Sequence, residues 1–204
     1  MGFEESLARG ADYLQIDMDK VRLALRRRLE SMGVVLMETR RALEELEWVR
    51  DYSWRIAEVD EYAREAMGEE RGTLIYVPPG VKVREPVQTC FLVSREGVEQ
   101  AVHNIIVVDE GAELTLNTVC AAMVGESLHT GVSEMYVKRG GRLVYAMVHG
   151  WNQRFDTHPR TAVLVDEGAE LIMNYVSLRP VRRIDSNPRI RLGEGARAYY
   201  SSIV

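Results

Sequence analysis

A mainly β chain, folded as a right-handed parallel β-helix behind a short helical region, is what this sequence predicts, and three observations predict it. A glycine-centred turn returns through the last two-thirds of the chain, at Gly80, Gly111, Gly140, Gly168 and Gly195, in steps of 31, 29, 28 and 27 residues. Two copies match almost letter for letter: Val107-Val108-Asp109-Glu110-Gly111-Ala112-Glu113-Leu114 and Leu164-Val165-Asp166-Glu167-Gly168-Ala169-Glu170-Leu171. No helical periodicity separates one copy from the next. A fixed period of this size marks stacked units, each burying its apolar face against its neighbours. Units of strand, tight turn and strand that stack at a near-constant step make a parallel β-helix, here of about five coils. An antiparallel sandwich would leave the spacing of the turn unexplained.

The first 70 residues are a different material and read as helical. Val21, Leu25, Leu29 and Met32 recur at helical spacing, and Gly33 interrupts the pattern. Thr39 stands where it can cap a second helix whose apolar stripe is Ala42, Leu43, Leu46 and Val49, and residues 59–67 are also compatible with a helix. The boundary falls near Arg71, leaving a helical region over 1–70 and the β-helix over 71–204. Inside each coil a β-branched run such as Ile105 to Val108 enters the turn, and an alternating run such as Leu114-Thr115-Leu116 leaves it. The glycine is expected to supply a positive φ.

Composition narrows the class. A chain of 204 residues with 46% hydrophobic content can bury a core. No apolar run approaches the roughly 20 residues of a membrane span, and no signal-peptide stretch opens the chain, so a cytoplasmic location is expected. Residues 1–70 carry 11 basic and 17 acidic side chains, and residues 71–204 carry 15 and 14. The repeat region is nearly neutral and bears no nucleic-acid footprint. The run Arg26-Arg27-Arg28 reads as a solvated helix face. Many parallel β-helices cleave carbohydrates with grouped carboxylates, but Asp109, Glu110, Asp166 and Glu167 sit beside turn glycines as ordinary solvated turn residues. There is no phosphate loop and no Gly-x-Ser-x-Gly elbow, and the chain is not expected to be an enzyme.

Nine residues past each repeat glycine stand Thr89, Cys120, His149, Ser177 and Val204. Equivalent positions on successive coils stack about 4.8 Å apart, which predicts a polar ladder with Cys120 and His149 on neighbouring rungs. A thiol beside an imidazole is a plausible soft-metal or sulfur-handling pair. The bland alternative is a buried free cysteine beside an unrelated loop histidine. Cys90 stands ten residues past its glycine, so it turns to the opposite face, with a place in the core and no bond to Cys120. His103, His129 and His158 read as surface or hydrogen-bonded structural histidines.

The run Tyr76-Val77-Pro78-Pro79-Gly80-Val81-Lys82-Val83 with Pro86-Val87-Gln88 resembles the entry to the β-helix of the SufB/SufD scaffold proteins of SUF iron–sulfur cluster assembly. The resemblance continues through Cys120, Leu128-His129 with Glu134, Gly150-Trp151-Asn152 and Pro159-Arg160-Thr161, and upstream through residues 48–54; it covers about residues 43 to 204. It implies a scaffold that carries a transient iron–sulfur cluster with a partner ABC ATPase and a second scaffold subunit, as a homo- or heterodimer. Cys120 falls on a cysteine of the SufB branch, with Val119 in place of a glycine, and His149 falls where that branch carries glutamine. An arginine of the bacterial scaffolds falls at Leu92 and is absent. Cys120 and His149 are therefore the expected metal or sulfur ligands, and Trp151 and Arg160 the expected flanking cluster-site residues, Arg160 as a partner for anionic sulfur. Two cysteines cannot supply the four thiolates of a conventional cluster site, so a cluster would be shared across an interface, completed by His or acidic ligands, or bound only in transit. Family members continue beyond the position of Val204, where the resemblance implies further coils, more cluster ligands and an ATPase-docking helical segment. The chain is thus expected to be shortened, with an open apolar last coil, and the rival reading is an interaction module that pairs with a complete scaffold subunit.

Overall fold

The computed structural model describes residues 10–204 except Leu25. Five strand–turn–strand units follow one another in it. They are β4 (Thr73–Val77) with β5 (Lys82–Val93), β6 (Glu99–Val108) with β7 (Glu113–Ala122), and β8 (Ser127–Val137) with β9 (Arg142–Gly150). Then come β10 (Phe155–Val165) with β11 (Glu170–Ser177), and β12 (Arg183–Ile184) and β13 (Asn187–Leu192) with β14 (Arg197–Ile203). First strands pair in parallel with first strands, and second with second. The result is two facing sheets. Sheet A runs β14-β11-β9-β7-β5 and sheet B runs β12-β10-β8-β6-β4, with β13 also on β10. Five units joined by four returns give a solenoid of about four turns.

The repeat glycines are the corners. Gly80, Gly111, Gly140, Gly168 and Gly195 have φ of 72°, 60°, 62°, 64° and 65°. A Cβ at any of them would meet nothing within 4 Å, so the turn demands left-handed backbone and not space. The N–H of the first four donates to a carbonyl of the next unit, on Glu110, Arg139, Glu167 and Glu194, at 2.8, 2.9, 3.0 and 2.9 Å. Gly111 and Gly168 occupy equivalent corners two units apart.

Alternation builds the core. In β7 and β9 nearly every second residue is buried, and Leu114, Leu116, Leu143 and Tyr145 meet Val102, Ile106 and Met135 of sheet B in one cluster. Sheet B is buried on both faces, and its strands read as near-continuous buried runs. Its outer residues Leu74, Ile105, Val107 and Tyr136 pack beneath Ala42 and Val49 of the preceding segment.

That preceding segment is not purely helical. β1 (Tyr13–Ile16) adds to β5 in parallel, β2 (Lys20–Leu23) pairs antiparallel with β1, and β3 (Val35–Glu38) pairs antiparallel with β4. The helix expected through Val21 and Met32 shrinks to α1 (Arg27–Ser31), and Val21 lies in β2; Leu25 lies outside the described residues. An open sheet edge supplies backbone partners that a short helix of mixed sequence cannot match. The second helix is α2 (Thr39–Glu45), followed by a 3-10 turn, Glu47–Asp51. Thr39 does not cap it: the Thr39 hydroxyl donates to the His103 carbonyl at 2.7 Å, and Glu38 takes the cap position without a side-chain bond. The third helix, α3 (Glu61–Met67), is capped by Asp60, whose carboxylate accepts the Ala63 N–H at 2.9 Å.

One side chain ties residues 54–57 to the solenoid. The fully buried Glu134 of β8 accepts the backbone N–H groups of Arg55, Ile56 and Ala57 on Oε1, at 2.7, 2.7 and 3.0 Å. Its Oε2 accepts the Trp54 N–H at 2.5 Å and His103 Nε2–H at 2.8 Å. Trp54 is left-handed, φ 57°, an unfavourable state for a bulky residue, and its ring stacks on His103 at 4.1 Å. Burial pushes the Glu134 pKa up, but the His103 contact and the amides outweigh it and hold the carboxyl below its ordinary value.

Two outcomes follow from these constraints. Gly140→Ala, measured by urea denaturation, will cost about 1 kcal/mol, and Gly140→Asn less, because the penalty is conformational. Glu134→Gln will cost about 3–5 kcal/mol, because it leaves buried amides facing a poorer acceptor. Hydrogen exchange will speed up first at residues 54–57 if the carboxylate is the tie; uniform acceleration along the chain would contradict that.

Candidate functional site

Sheet A brings Cys120, His149 and Ser177 onto successive rungs, as their spacing from the corner glycines implies. Thr89 does not join them. β5 carries two extra residues between Val83 and Val87, so Thr89 stands opposite Thr118 and Phe91 takes the rung beside Cys120. The Thr89 and Thr118 hydroxyls bond each other at 2.8 Å instead. Val204 follows the end of β14 and is exposed.

Cys120, His149 and Trp151 face the interior and are 1%, 1% and 0% exposed. Trp151 follows β9, stacks on Phe155 at 4.2 Å, and lies 5.5 Å from the His149 ring. From the opposite sheet His129 joins them, 5.1 Å from Trp151 and 6.4 Å from His149, centroid to centroid. Two further polar residues orient the rings. His129 Nδ1–H donates to Gln100 Oε1 at 2.9 Å, and the Tyr175 hydroxyl lies 2.8 Å from His149 Nδ1. His149 Nε2, Trp151 Nε1 and Thr157 Oγ1 are buried and have no protein partner. The solenoid therefore encloses a polar cluster in an otherwise apolar core.

His129 is a hydrogen-bonded, buried histidine, one of the two places expected for it, but its position against Trp151 and His149 was not foreseen, and Gln100 and Tyr175 escaped sequence reasoning altogether. A second count was available. Eleven residues before each glycine from Gly111 onward stand Gln100, His129, Thr157 and Ile184, and these share one rung column of sheet B.

The cluster is electrically neutral. Burial lowers the pKa of His149 to about 3, with His129 adding to the effect, and burial lowers His129 to about 3 as well, with His158 adding. Burial also pushes the Cys120 thiol well above its ordinary value, and Cys90 pushes in the same direction. In the closed solenoid Cys120 and His149 are thus thiol and neutral imidazole, not an ion pair. Cys90, pushed up to about 12 by burial, lies on the opposite face as alternation requires, but in a satellite cluster with Ala11, Leu14 and Leu92 and not in the main core. Both cysteines are free. Among the described residues no group of three or more His, Cys, Asp or Glu is arranged to hold a metal ion.

Arg160 does not belong to this cluster, which corrects its expected place beside Cys120 and His149. It lies on the outer face of β10 under α3. Its Nε donates to Asp60 at 2.6 Å, its terminal nitrogens donate to the Asp185 carbonyl and carboxylate at 2.6 and 3.0 Å, and it stacks on Tyr62 at 4.8 Å. Strand alternation sends Arg160 outward where Thr157 and Thr161 go inward, and its donors are already taken. His158 packs against Tyr62 on that same face, ring centroids 3.9 Å apart and the rings tilted by 34°.

Both interior histidines take up a proton on unfolding below pH 6.5 but not in the native state until about pH 3. Stability is therefore lost as pH falls through this window, with each histidine adding a slope of up to about 1.4 kcal/mol per pH unit. Urea midpoints measured between pH 7 and 4 will fall less steeply in His149→Gln than in the parent. Parallel curves would mean that His149 is not held neutral.

Comparison with known proteins adds to this geometry. The family model for the SUF system FeS cluster assembly, SufBD core domain, matches residues 91–204, which include Cys120, His149 and Trp151. An iron-sulfur cluster assembly SufBD family protein of Archaeoglobus fulgidus is 36% identical over 176 residues, covering 84% of this chain and 47% of the relative. Another, from Methanothermobacter thermautotrophicus, is 34% identical over 210 residues, covering 98% and 50%. The iron-sulfur cluster assembly protein SufB of Bacillus subtilis is 30% identical over 192 residues, covering 86% and 39%. The chain spans about half the length of the first two relatives, or less. No helix among the described residues is long and apolar enough to cross a membrane. A core-domain match over more than half of the chain, and relatives about a third identical along most of it, make the protein a member of the SufBD family.

Proposed function

We propose that this chain acts in iron–sulfur cluster assembly as part of a SUF-type scaffold subunit, in the cytoplasm and without enzymatic turnover of its own. The cluster is cargo, built from sulfur and iron in transit. A partner ABC ATPase drives the shape change, and a second scaffold subunit completes the assembly. The observation that carries this reading is the coincidence of the interior Cys120–His149 rung and Trp151 with the SufBD core-domain match. Cys120 is the candidate sulfur or metal ligand, and His149, held through Nδ1 by Tyr175, offers its unpartnered Nε2 as the neighbouring ligand or proton acceptor.

The closed state cannot perform this chemistry, because burial keeps the proton on Cys120 and off His149. Opening or hydration of the interior would bring the thiol pKa down and the imidazole pKa up toward their ordinary values, so that Cys120 loses its proton more readily on binding a metal and His149 becomes able to accept one. An ATP-driven shape change is suited to that step. Two cysteines are too few for a cluster held by thiolates alone, so His or acidic ligands, a second subunit or transit binding must make up the set.

The same buried, protonated thiol favours a second reading, an interaction module that pairs with a complete scaffold subunit. Anaerobic reconstitution with iron and sulfide separates the two readings. The parent will bind more iron and show stronger cluster absorbance than Cys120→Ala. Equal iron content in the two proteins would remove Cys120 from the account and leave the interaction module ahead.

A further inference from the structure

We infer that the cleft between α1 and the start of β5 docks an acidic peptide segment of a partner protein, one carrying apolar side chains among its carboxylates. The inference begins with the one large irregularity in the repeat. The first glycine step is 31 residues where the next is 29. The two extra residues form the bulge between Val83 and Val87, where β5 breaks register with β7. Bulges of this kind re-aim side chains and are over-represented beside functional sites.

Here the bulge and α1 form the walls of a cleft of about 500 Å³. Arg26 and Arg28 line it from the helix side, and Lys82 and Arg84 from the strand. Between these walls lies an apolar floor of Leu29, Met32 and Val83, of which Leu29 and Val83 are buried. The arginine run has no part in the interior cluster, and the inference does not depend on the cluster-assembly reading.

The chain itself shows what the cleft accepts. Glu85, on the bulge, places Oε2 3.2 Å from Arg26 and Oε1 3.8 Å from Arg28, while its side chain stays 67% exposed. It is a loosely held carboxylate that an incoming one can replace. Glu113 serves the other wall, at 2.9 Å from Lys82 and 3.2 Å from Arg84. Arg26 is anchored by Asp12, 3.3 Å from its Nε, and by the Pro86 carbonyl at 3.0 Å, and the capacity left for a ligand lies on Arg28 and Arg84, which are 76% and 80% exposed. Guanidinium groups bind carboxylates bidentately, and methionine adapts to varied apolar partners. Two cationic walls separated by an apolar floor fit an extended segment with alternating acidic and apolar side chains better than one compact anion.

The test uses the 204-residue chain and a fluorescein-labelled peptide of alternating glutamate and leucine, read by fluorescence anisotropy. Binding will saturate and weaken with salt. It will fall about tenfold or more in the Arg28→Glu, Arg84→Glu double variant. Glu85→Gln, which removes the internal competitor without reversing a charge, will bind more tightly, and this arm stands even if the double variant folds poorly. A glutamine–leucine peptide will bind weakly. Equal binding of the two peptides, no response to either variant, or displacement of the peptide by inorganic tripolyphosphate at far lower concentration than by unlabelled peptide would overturn the proposal, the last in favour of a compact-anion site.

Discussion

The left-handed corner is the constraint on which the rest of this structure depends. At each corner a glycine with φ between 60° and 72° turns the chain from one sheet into the other, and at the first four corners its N–H reaches the carbonyl of the next unit. That bond joins neighbouring corners at a fixed level, so the strands on either side enter their sheets in register. Register then decides which side chains share a rung. A one-residue slip would turn every inward residue outward, and the apolar alternation of β7, β9 and β11 makes such a slip prohibitive. The Cys120–His149–Ser177 column is thus a consequence of backbone geometry at Gly111, Gly140 and Gly168.

A polar cluster in such a core is costly unless its hydrogen bonds are made or its charge is removed. Both devices operate here. Gln100 and Tyr175 each satisfy one histidine nitrogen, and burial keeps both rings uncharged. The three atoms left without a protein partner, on His149, Trp151 and Thr157, are the unsettled part of the arrangement. In this enclosed core burial keeps the Cys120 thiol protonated and both histidine rings neutral.

Sheet B has a different problem from sheet A, since its outer face is apolar and must be covered. The segment before β4 covers it, and Glu134 is the tie. A single carboxylate accepting four amide N–H groups and a histidine N–H fixes a strap that includes a left-handed tryptophan. Arg160 plays a similar part under α3, where Asp60, Asp185 and Tyr62 take up its guanidinium. Arg160, expected from the resemblance as a partner for anionic sulfur, thus holds the cover in place together with Glu134. Their buried charges are paired, as a low-dielectric interior requires.

What the sequence determined by itself was everything with a period. Five glycines at near-constant spacing specified the solenoid and the corners, and counting on from them placed Cys120 beside His149, because stacked units repeat their geometry. The tertiary structure alone decided what breaks or crosses the period. Val21 reads as helical, yet it joins a strand because sheet A has an edge to offer. Thr89 leaves the ladder because a bulge shifts its register, and Arg160 leaves the site because strand alternation turns it outward onto Asp60, far along the chain. His129 enters the site from the opposite sheet, where no local spacing relates it to His149 until the two sheets face each other. Local pattern encodes neighbours along a strand and along the stack; contact across the core depends on how the two sheets close.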